Sequence, residues 1–408
     1  MIERRAPHEL SDEARAALRD ADPARGLSLY LHVPFCATRC GYCDFNTYTA
    51  GELGSSSSPQ SWLEGVRAEL DQAAAFLGSG RPVSTIFVGG GTPSLLGGDG
   101  LAELLSAVHH SFDLAPGAEV TTESNPESTS PEFFHTLREA GFTRVSLGMQ
   151  SAATHVLRVL ERTHTPGRAL DAAREAAAAG FEHLNLDLIY GTPSERDDDL
   201  DASLDAVLSV PVDHVSAYAL IVEDGTRFAR KVRRGEVPMP DDDVLAARYE
   251  MIDARLAAAG MTWYEVSNWA RAGQDGLPVP DSVCRHNEAY WRSDDWWGVG
   301  PGAHSHVGGV RWWNQKHPAT YSASLAAGAL PIDGSEVLTD EDRHTEAVML
   351  RLRMRDGLSA DELDEGERDR ADGAVARGLL TADGQRYVLT DAGRLLADGI
   401  TRDILVAD

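Results

Sequence analysis

The chain has 408 residues, of which 42% are apolar and 25% charged, values of a soluble globular protein long enough for a large core. Its net charge of −27, from 64 acids against 37 bases, disfavours general nucleic-acid binding and polybasic membrane anchoring, because an acidic surface repels phosphates. No apolar run reaches the ~18 residues of a membrane helix, and residues 1–26 read as a charged N-terminal extension without a hydrophobic signal segment, so a cytoplasmic location is expected.

Six short apolar runs then recur: Leu27–Val33, Val83–Val88, Glu119–Glu123, Arg144–Met149, His183–Ile189 and His214–Ile221. Each ends in Gly, Pro or polar punctuation, and most lead into Ala/Leu/Glu-rich stretches of helical period, such as 61–76, 167–179 and 197–208. Such alternation predicts a parallel sheet with right-handed crossovers. Six units are too few for a closed eight-stranded barrel. The predicted fold is therefore α/β, a partial (β/α)6 TIM-like barrel over residues 27–225, with its chemistry on loops at the carboxyl ends of the strands. Residues 226–336 read as a helix (241–259) followed by a Trp/Gly/His-rich stretch. Seven of the eight tryptophans lie between Trp263 and Trp313, a cluster suited either to a core or to a flat hydrophobic ligand. Residues 337–408 predict a separate, mainly helical, winged-helix-like module. Its 17 acids against 10 arginines favour scaffolding or partner docking over DNA binding.

Of the four cysteines, Cys36, Cys40 and Cys43 form a C-x3-C-x2-C run directly after the first strand, and Cys284 stands apart. The run is too tight for a disulfide framework and points to metal or redox chemistry. Three thiolates on one loop can ligate three irons of a 4Fe-4S cluster and leave the fourth open to an exogenous ligand. A zinc site would need a fourth protein ligand, with Asp44 or His32 nearest in sequence. Gly89-Gly90-Gly91-Thr92-Pro93 follows the second strand, where glycines let backbone amides approach a ligand and Thr92 adds a hydroxyl. Glu123 ends the third strand, and a carboxylate there can accept from ribose hydroxyls. Gln150 ends the fourth strand, Arg162 follows it, and Asp187 lies in the fifth. A guanidinium among them suits a ligand carboxylate bidentately.

The cysteine run, set in Tyr30-Leu31-His32-Val33-Pro34-Phe35-Cys36, resembles the radical SAM superfamily. Within it, the context is similar to the branch that holds the oxygen-independent coproporphyrinogen III oxidases and the HemW-type haem chaperones, from about Gly26 to the C-terminal module. The resemblance implies that Cys36, Cys40 and Cys43 hold a 4Fe-4S cluster. It also implies that Tyr30, Tyr42, Gly90, Gly91, Thr92, Glu123, Gln150, Arg162 and Asp187 contact S-adenosylmethionine. One electron from the cluster would cleave the bound sulfonium to methionine and a 5′-deoxyadenosyl radical.

Two features divide that branch. The oxidases carry a further cysteine two residues after the third, where this chain has Phe45. The run His286-Asn287-Glu288-Ala289-Tyr290-Trp291 matches the H-N-x-x-Y-W signature of the chaperones. A neutral imidazole ligates haem iron, and a Tyr-Trp pair can pack on a porphyrin face. The resemblance thus implies haem at His286, Tyr290 and Trp291, with Cys284, His304 and His306 as rival axial ligands. The implied function is delivery of haem to respiratory haem proteins; the alternative is the oxidative decarboxylation of coproporphyrinogen III. The implied partners are haem, its acceptors and an electron donor to the cluster. No nucleic acid is expected, membrane contact is peripheral at most, and a homodimer is compatible with the reading.

Overall fold

Strands and helices alternate as expected in the computed structural model, which describes residues 9–406 except 20, 23, 24, 56 and 79. The start of the N-terminal extension, residues 1–8, lies outside the described residues. The strands are β1 (Leu27–Val33), β2 (Val83–Gly90), β3 (Leu114–Ser124), β4 (Arg144–Gln150), β5 (His183–Tyr190) and β6 (His214–Ala219). The crossovers include helices α1 (Pro59–Leu77), α2 (Gly97–Ser111), α3 (Pro131–Ala140), α4 (Arg168–Ala178) and α5 (Asp197–Leu208). All neighbours from β1 to β6 pair in parallel. All seven residues of β4 are buried, the signature of a strand covered on both faces. Ser58 caps α1 with Pro59 in its first turn, and Ser130 caps α3 in the same way. Each hydroxyl satisfies a backbone amide that the first helical turn leaves without a partner.

The sheet is wider than six strands. The Trp-rich stretch supplies β7 (Met261–Glu265), β8 (Asn268–Arg271), β9 (Asp295–Val299), β10 (His304–Val307), β11 (Val310–Asn314) and β12 (Ile332–Val337). The order is β12-β11-β10-β9-β1-β2-β3-β4-β5-β6-β8-β7. β9 joins beside β1 in parallel, from Leu27↔Asp295 to Leu31↔Val299, and the outer strands continue antiparallel on both flanks. Four clustered tryptophans, Trp263, Trp269, Trp297 and Trp312, are core; Trp297 and Trp312 meet edge to face with centroids 4.8 Å apart. Trp291, Trp296 and Trp313 stay partly exposed.

Between these flanks run α6 (Arg227–Arg233), α7 (Asp242–Ala258), α8 (Arg285–Trp291) and α9 (Pro318–Ala326). Buried Glu69 of α1 accepts from Gly300 N (2.9 Å), Asn314 Nδ2 (2.6 Å) and Tyr321 Oη (2.6 Å), which ties the first crossover helix to the sheet extension.

The C-terminal module contains α10 (Asp340–Arg351), α11 (Glu365–Ala376), a three-stranded antiparallel sheet and α12 (Ala397–Leu405) around its own core, which includes Val348, Leu358, Leu389 and Ile400. It docks through Arg394, whose guanidinium pairs with Asp253 of α7 at 2.6 Å and lies over Trp263. Among the described residues no helix is long and apolar enough to cross a membrane.

Candidate active site: a cysteine loop over the barrel mouth

Pro34 follows β1, and the chain then leaves the sheet. Residues 35–36 and 48–49 pair as a two-residue parallel ladder, so the cysteine loop is closed at its base. The glycine triplet packs against this base: Gly91 N donates to Val33 O at 2.7 Å and Thr92 N to Phe35 O at 2.8 Å. A Cβ at Gly91 would lie 2.5 Å from Phe35 O, so only glycine allows this approach. From β1, His32 contacts the Asn46 carbonyl of the loop through Nε2 (2.9 Å) and Tyr30 Oη through Nδ1 (3.0 Å). Asn46 Nδ2 donates to the Lys316 carbonyl at 2.7 Å, and Tyr48 Oη donates to the same oxygen at 3.2 Å. On the opposite side Phe228 N donates to Gly41 O, and Lys231 Nζ pairs with Glu161 at 2.6 Å.

The three cysteines are free thiols, each half-buried. They face one cavity of about 630 Å³. Burial pushes the Cys36 thiol up and the Cys43 thiol up to about 11, a cost that iron ligation would reverse. Arg162 Nη1 donates to Cys40 Sγ at 3.4 Å, and Thr92 Oγ1 to Cys36 Sγ at 3.7 Å. Among the described residues no three His, Cys, Asp or Glu side chains converge on one ion. His32 is already engaged and Asp44 is exposed. A cluster takes one thiolate per iron, so three thiols that line one cavity can serve it without meeting at a single ion.

Tyr42, Gly90, Gly91, Thr92, Glu123, Gln150, Arg162 and Asp187 all line the same cavity. Tyr30 lines instead a second, inner chamber of about 130 Å³ that shares Glu123, Ser146, Asp187 and Tyr218 with the first. Glu123 accepts from Gly90 N at 3.0 Å; burial, reinforced by Asp187, pushes its carboxyl up to about 8. Asp187 accepts from Asn185 Nδ2 at 2.6 Å and from Ser146 Oγ at 3.1 Å, and burial raises it too. Arg162 Nη2 reaches Gly148 O at 3.3 Å, while its Nε and the Nε2 of His164 are buried without partners. Gln150 holds its place with φ of +67°. Two carboxyls, a guanidinium with an unused donor and a close-approach glycine backbone fit a ligand carrying an ammonium, a carboxylate and a ribose diol.

The raised Glu123 carboxyl has a thermodynamic consequence. A carboxyl whose folded pKa exceeds its unfolded value stabilises fully below about pH 4.3, and that contribution is lost as pH rises through about 8. Glu123→Gln should therefore flatten the fall in stability of the ligand-free protein between those limits, as read from urea midpoints across the pH range. Buried Glu69, raised to about 7, leaves a residual slope. Equal slopes in both proteins would contradict the assignment.

The H-N-x-x-Y-W run occupies a place that its sequence does not disclose. It forms α8, whose start is held by Glu119 of β3: Oε1 accepts from His286 N (3.1 Å) and Oε2 from Arg285 N (3.1 Å). Glu119 also pairs with buried Arg144 at 3.2 Å. His286 is 1% exposed, with Nδ1 2.7 Å from Thr85 Oγ1 and Nε2 2.9 Å from Tyr290 Oη. Both ring nitrogens are engaged, and the chamber they face holds about 130 Å³. Tyr290 lines the same chamber, and Trp291, partly exposed, lines neither cavity. Cys284 is buried against Glu119. Of the rival ligands, His304 is exposed and His306 buried.

Sequence reasoning missed the polar wall between the two cavities. Asn185 donates to Ser146 and Ser216 as well as to Asp187, and its Oδ1 meets His214 Nδ1 at 2.8 Å. His214 Nε2 in turn meets Tyr264 Oη at 2.9 Å. The available signal was period-2 polarity within apolar strands, Asn185-x-Asp187 and His214-x-Ser216, which sends both side chains of each pair to one face.

Residues 30–207 match the radical SAM superfamily and residues 338–396 the HemN C-terminal domain. The chain is 58% identical over 405 residues to the heme chaperone HemW of Mycobacterium tuberculosis, strain H37Rv, covering 99% of this chain and 100% of that one. This chain belongs to the HemW family. Heme chaperone HemW of Escherichia coli K12 is 33% identical over 387 residues, 92% of this chain and 97% of that one. The solved structure of the E. coli coproporphyrinogen III oxidase HemN, described as a radical SAM enzyme, superposes with a TM-score of 0.81 at 22% identity, over 98% of this chain and 94% of that one; at that identity it establishes the fold. As a radical SAM protein, this HemW-family chain takes a 4Fe-4S cluster and S-adenosylmethionine.

Proposed function

We propose that the protein is a haem chaperone that holds haem at the mouth of its cluster cavity and passes it to haem-requiring respiratory proteins. The observation that carries this reading is the rim of that cavity. Phe45 (54% exposed), Leu95 (42%) and Ile221 (66%) are large apolar side chains left in solvent, and all three line that cavity. Apolar surface gathered at a cavity mouth marks a binding site, and a planar macrocycle is a ligand whose face would cover it. The names of the 58% and 33% identical relatives support the same ligand. The rim also includes Phe45, at the position where the oxidases carry a further cysteine.

Within the cavity, Cys36, Cys40 and Cys43 are proposed to hold the cluster, which supplies a low-potential electron when bound. The remaining residues bind and orient. Gly90 and Gly91 allow close backbone approach, Glu123 and Asp187 present acceptors and donors to a ribose diol, Arg162 presents its unused Nε–H, and Tyr42 forms a wall. An electron donor is needed to charge the cluster, and delivery is placed in the cytoplasm.

The test is haem titration followed by absorption, with Phe45→Asp and Ile221→Asp. Losing the burial of one such side chain removes about 1.5–3 kcal/mol, so each variant should bind roughly ten- to a hundredfold more weakly. Unchanged affinity in both would reject the rim as the seat. The oxidase reading is tested by anaerobic incubation of cluster-loaded protein with S-adenosylmethionine, reductant and coproporphyrinogen III. Formation of protoporphyrinogen would replace the chaperone reading.

A further inference from the structure

The inner chamber opens a second line of chemistry that neither the cluster nor the haem seat uses. Its walls include Tyr30, Phe87, His286 and Tyr290, alongside Glu123 and Asp187 from the cluster cavity. These rings form a continuous series. Tyr30 and Phe87 lie 6.4 Å apart between centroids, Phe87 stacks on His286 at 5.2 Å, His286 meets Tyr290 at 4.9 Å, and Tyr290 meets Trp296 at 4.8 Å. Trp296 is partly exposed, and its Nε1 donates to the His304 carbonyl at 3.0 Å. The series therefore starts beside the cluster cavity and ends at the protein surface.

The hydrogen bonds fix which way a proton can move. Thr85 Oγ1 donates to Ser28 Oγ at 2.8 Å, so it accepts from His286 Nδ1–H at 2.7 Å. Nε2 is then the bare nitrogen and accepts the Tyr290 O–H at 2.9 Å. Burial pushes the imidazole down to about 3, so it stands neutral, with the Nε2 lone pair held against the phenol by the hydrogen bond. A phenol bonded to a free imidazole nitrogen can lose an electron and hand off its proton together.

We propose that Tyr290, with His286 as its proton acceptor, is a redox-active tyrosine that carries one oxidising equivalent between the barrel chamber and Trp296. The oxidant is a one-electron acceptor of the organic-radical class formed in the adjoining cavity. It gains one electron from Tyr290 and one proton from cavity water; the hydroxide left behind takes up the proton that the external thiol releases in the last step, where the thiol becomes a thiyl radical, so the net change is one hydrogen atom passed from thiol to oxidant. The Tyr290 O–H bond breaks, an N–H bond forms at His286 Nε2, and a neutral tyrosyl radical remains beside an imidazolium. Trp296 then gives one electron to that radical, His286 returns the proton to the phenolate, and the oxidised indole is reduced at the surface by an external thiol. A radical left without a substrate would be carried out of the chamber in this way rather than attacking its walls.

The source of the radical rests on the cluster assignment, but the relay does not, so the test uses the full chain without cluster. A soluble ruthenium photo-oxidant with a sacrificial acceptor generates the oxidising equivalent by laser flash. Electron paramagnetic resonance and transient absorption, in H2O and D2O, then identify the radical. Wild-type protein is expected to give a tyrosyl signal whose formation slows in D2O. Tyr290→Phe should lose that signal and accumulate a tryptophan radical, and Trp296→Phe should lower the tyrosyl yield while leaving Tyr290 in place. His286→Gln, which keeps an acceptor but removes the base, should slow tyrosyl formation. Circular dichroism checks that each variant is folded. A tyrosyl signal unchanged in Tyr290→Phe, or a yield unchanged in Trp296→Phe, would overturn the relay.

Discussion

Replacing Cys40 by alanine is expected to abolish the broad visible absorption of the anaerobically reconstituted protein and to reduce its bound iron to background. The loop supplies three thiolates and no fourth, so losing one leaves two ligands on the cluster face that the cavity presents. Cys284 cannot substitute, because it is buried behind Glu119 at the start of α8. The change also removes the sulfur that accepts from Arg162 Nη1, so S-adenosylmethionine binding should weaken with it. Cys284→Ala, as the control, should retain cluster absorption. Full absorption in Cys40→Ala would remove the cluster from this loop.

Arg144→Met should destabilise the fold by about 3–5 kcal/mol, the usual cost of leaving one member of a buried ion pair alone. Arg144 is 2% exposed. Its Nε pairs with Glu119, and its Nη2 donates to the carbonyls of Asp281 (2.7 Å) and Val283 (2.8 Å). Methionine matches the length of the stem but leaves a carboxylate without a counter-charge and two carbonyls without a donor. Since Glu119 also holds the first turn of α8, the loss should reach His286 and Tyr290. Adding Glu119→Gln to Arg144→Met should recover part of the stability by removing the stranded charge. Denaturant titration measures both, and a loss below about 1 kcal/mol, typical of an exposed pair, would show that the pair does not organise this region.

The six barrel strands were legible because each is a local signal, an apolar run closed by punctuation. The cysteine loop was legible because its spacing is the site. The sheet extension was not, because β9 pairs with β1 across the whole barrel: Trp296 sits opposite Ser28, and nothing near either residue states that pairing. The cavity residues at strand ends came together as expected, since a barrel converges its carboxyl ends, except that Tyr30 belongs to the chamber behind. The motif picks out His286, but its surroundings are set by Glu119, 167 residues earlier in the chain, and by Thr85, 201 residues earlier, and no local pattern states either contact. The polar face shared by β5 and β6 was visible in the sequence only as isolated Asn185, Asp187, His214 and Ser216 inside apolar runs.

The contacts of Lys231 and Lys316 give the protein a built-in reporter. Beyond the terminal amine these are its two primary amines. Lys231 is held by Glu161 on one side of the cysteine loop, and the backbone of Lys316 anchors Asn46 and Tyr48 on the other. Acylating reagents, which on most proteins label dozens of sites, would here read the flanks of one loop. Peptide mass mapping of the two amines before and after cluster loading would thus follow the ordering of that loop without an engineered label.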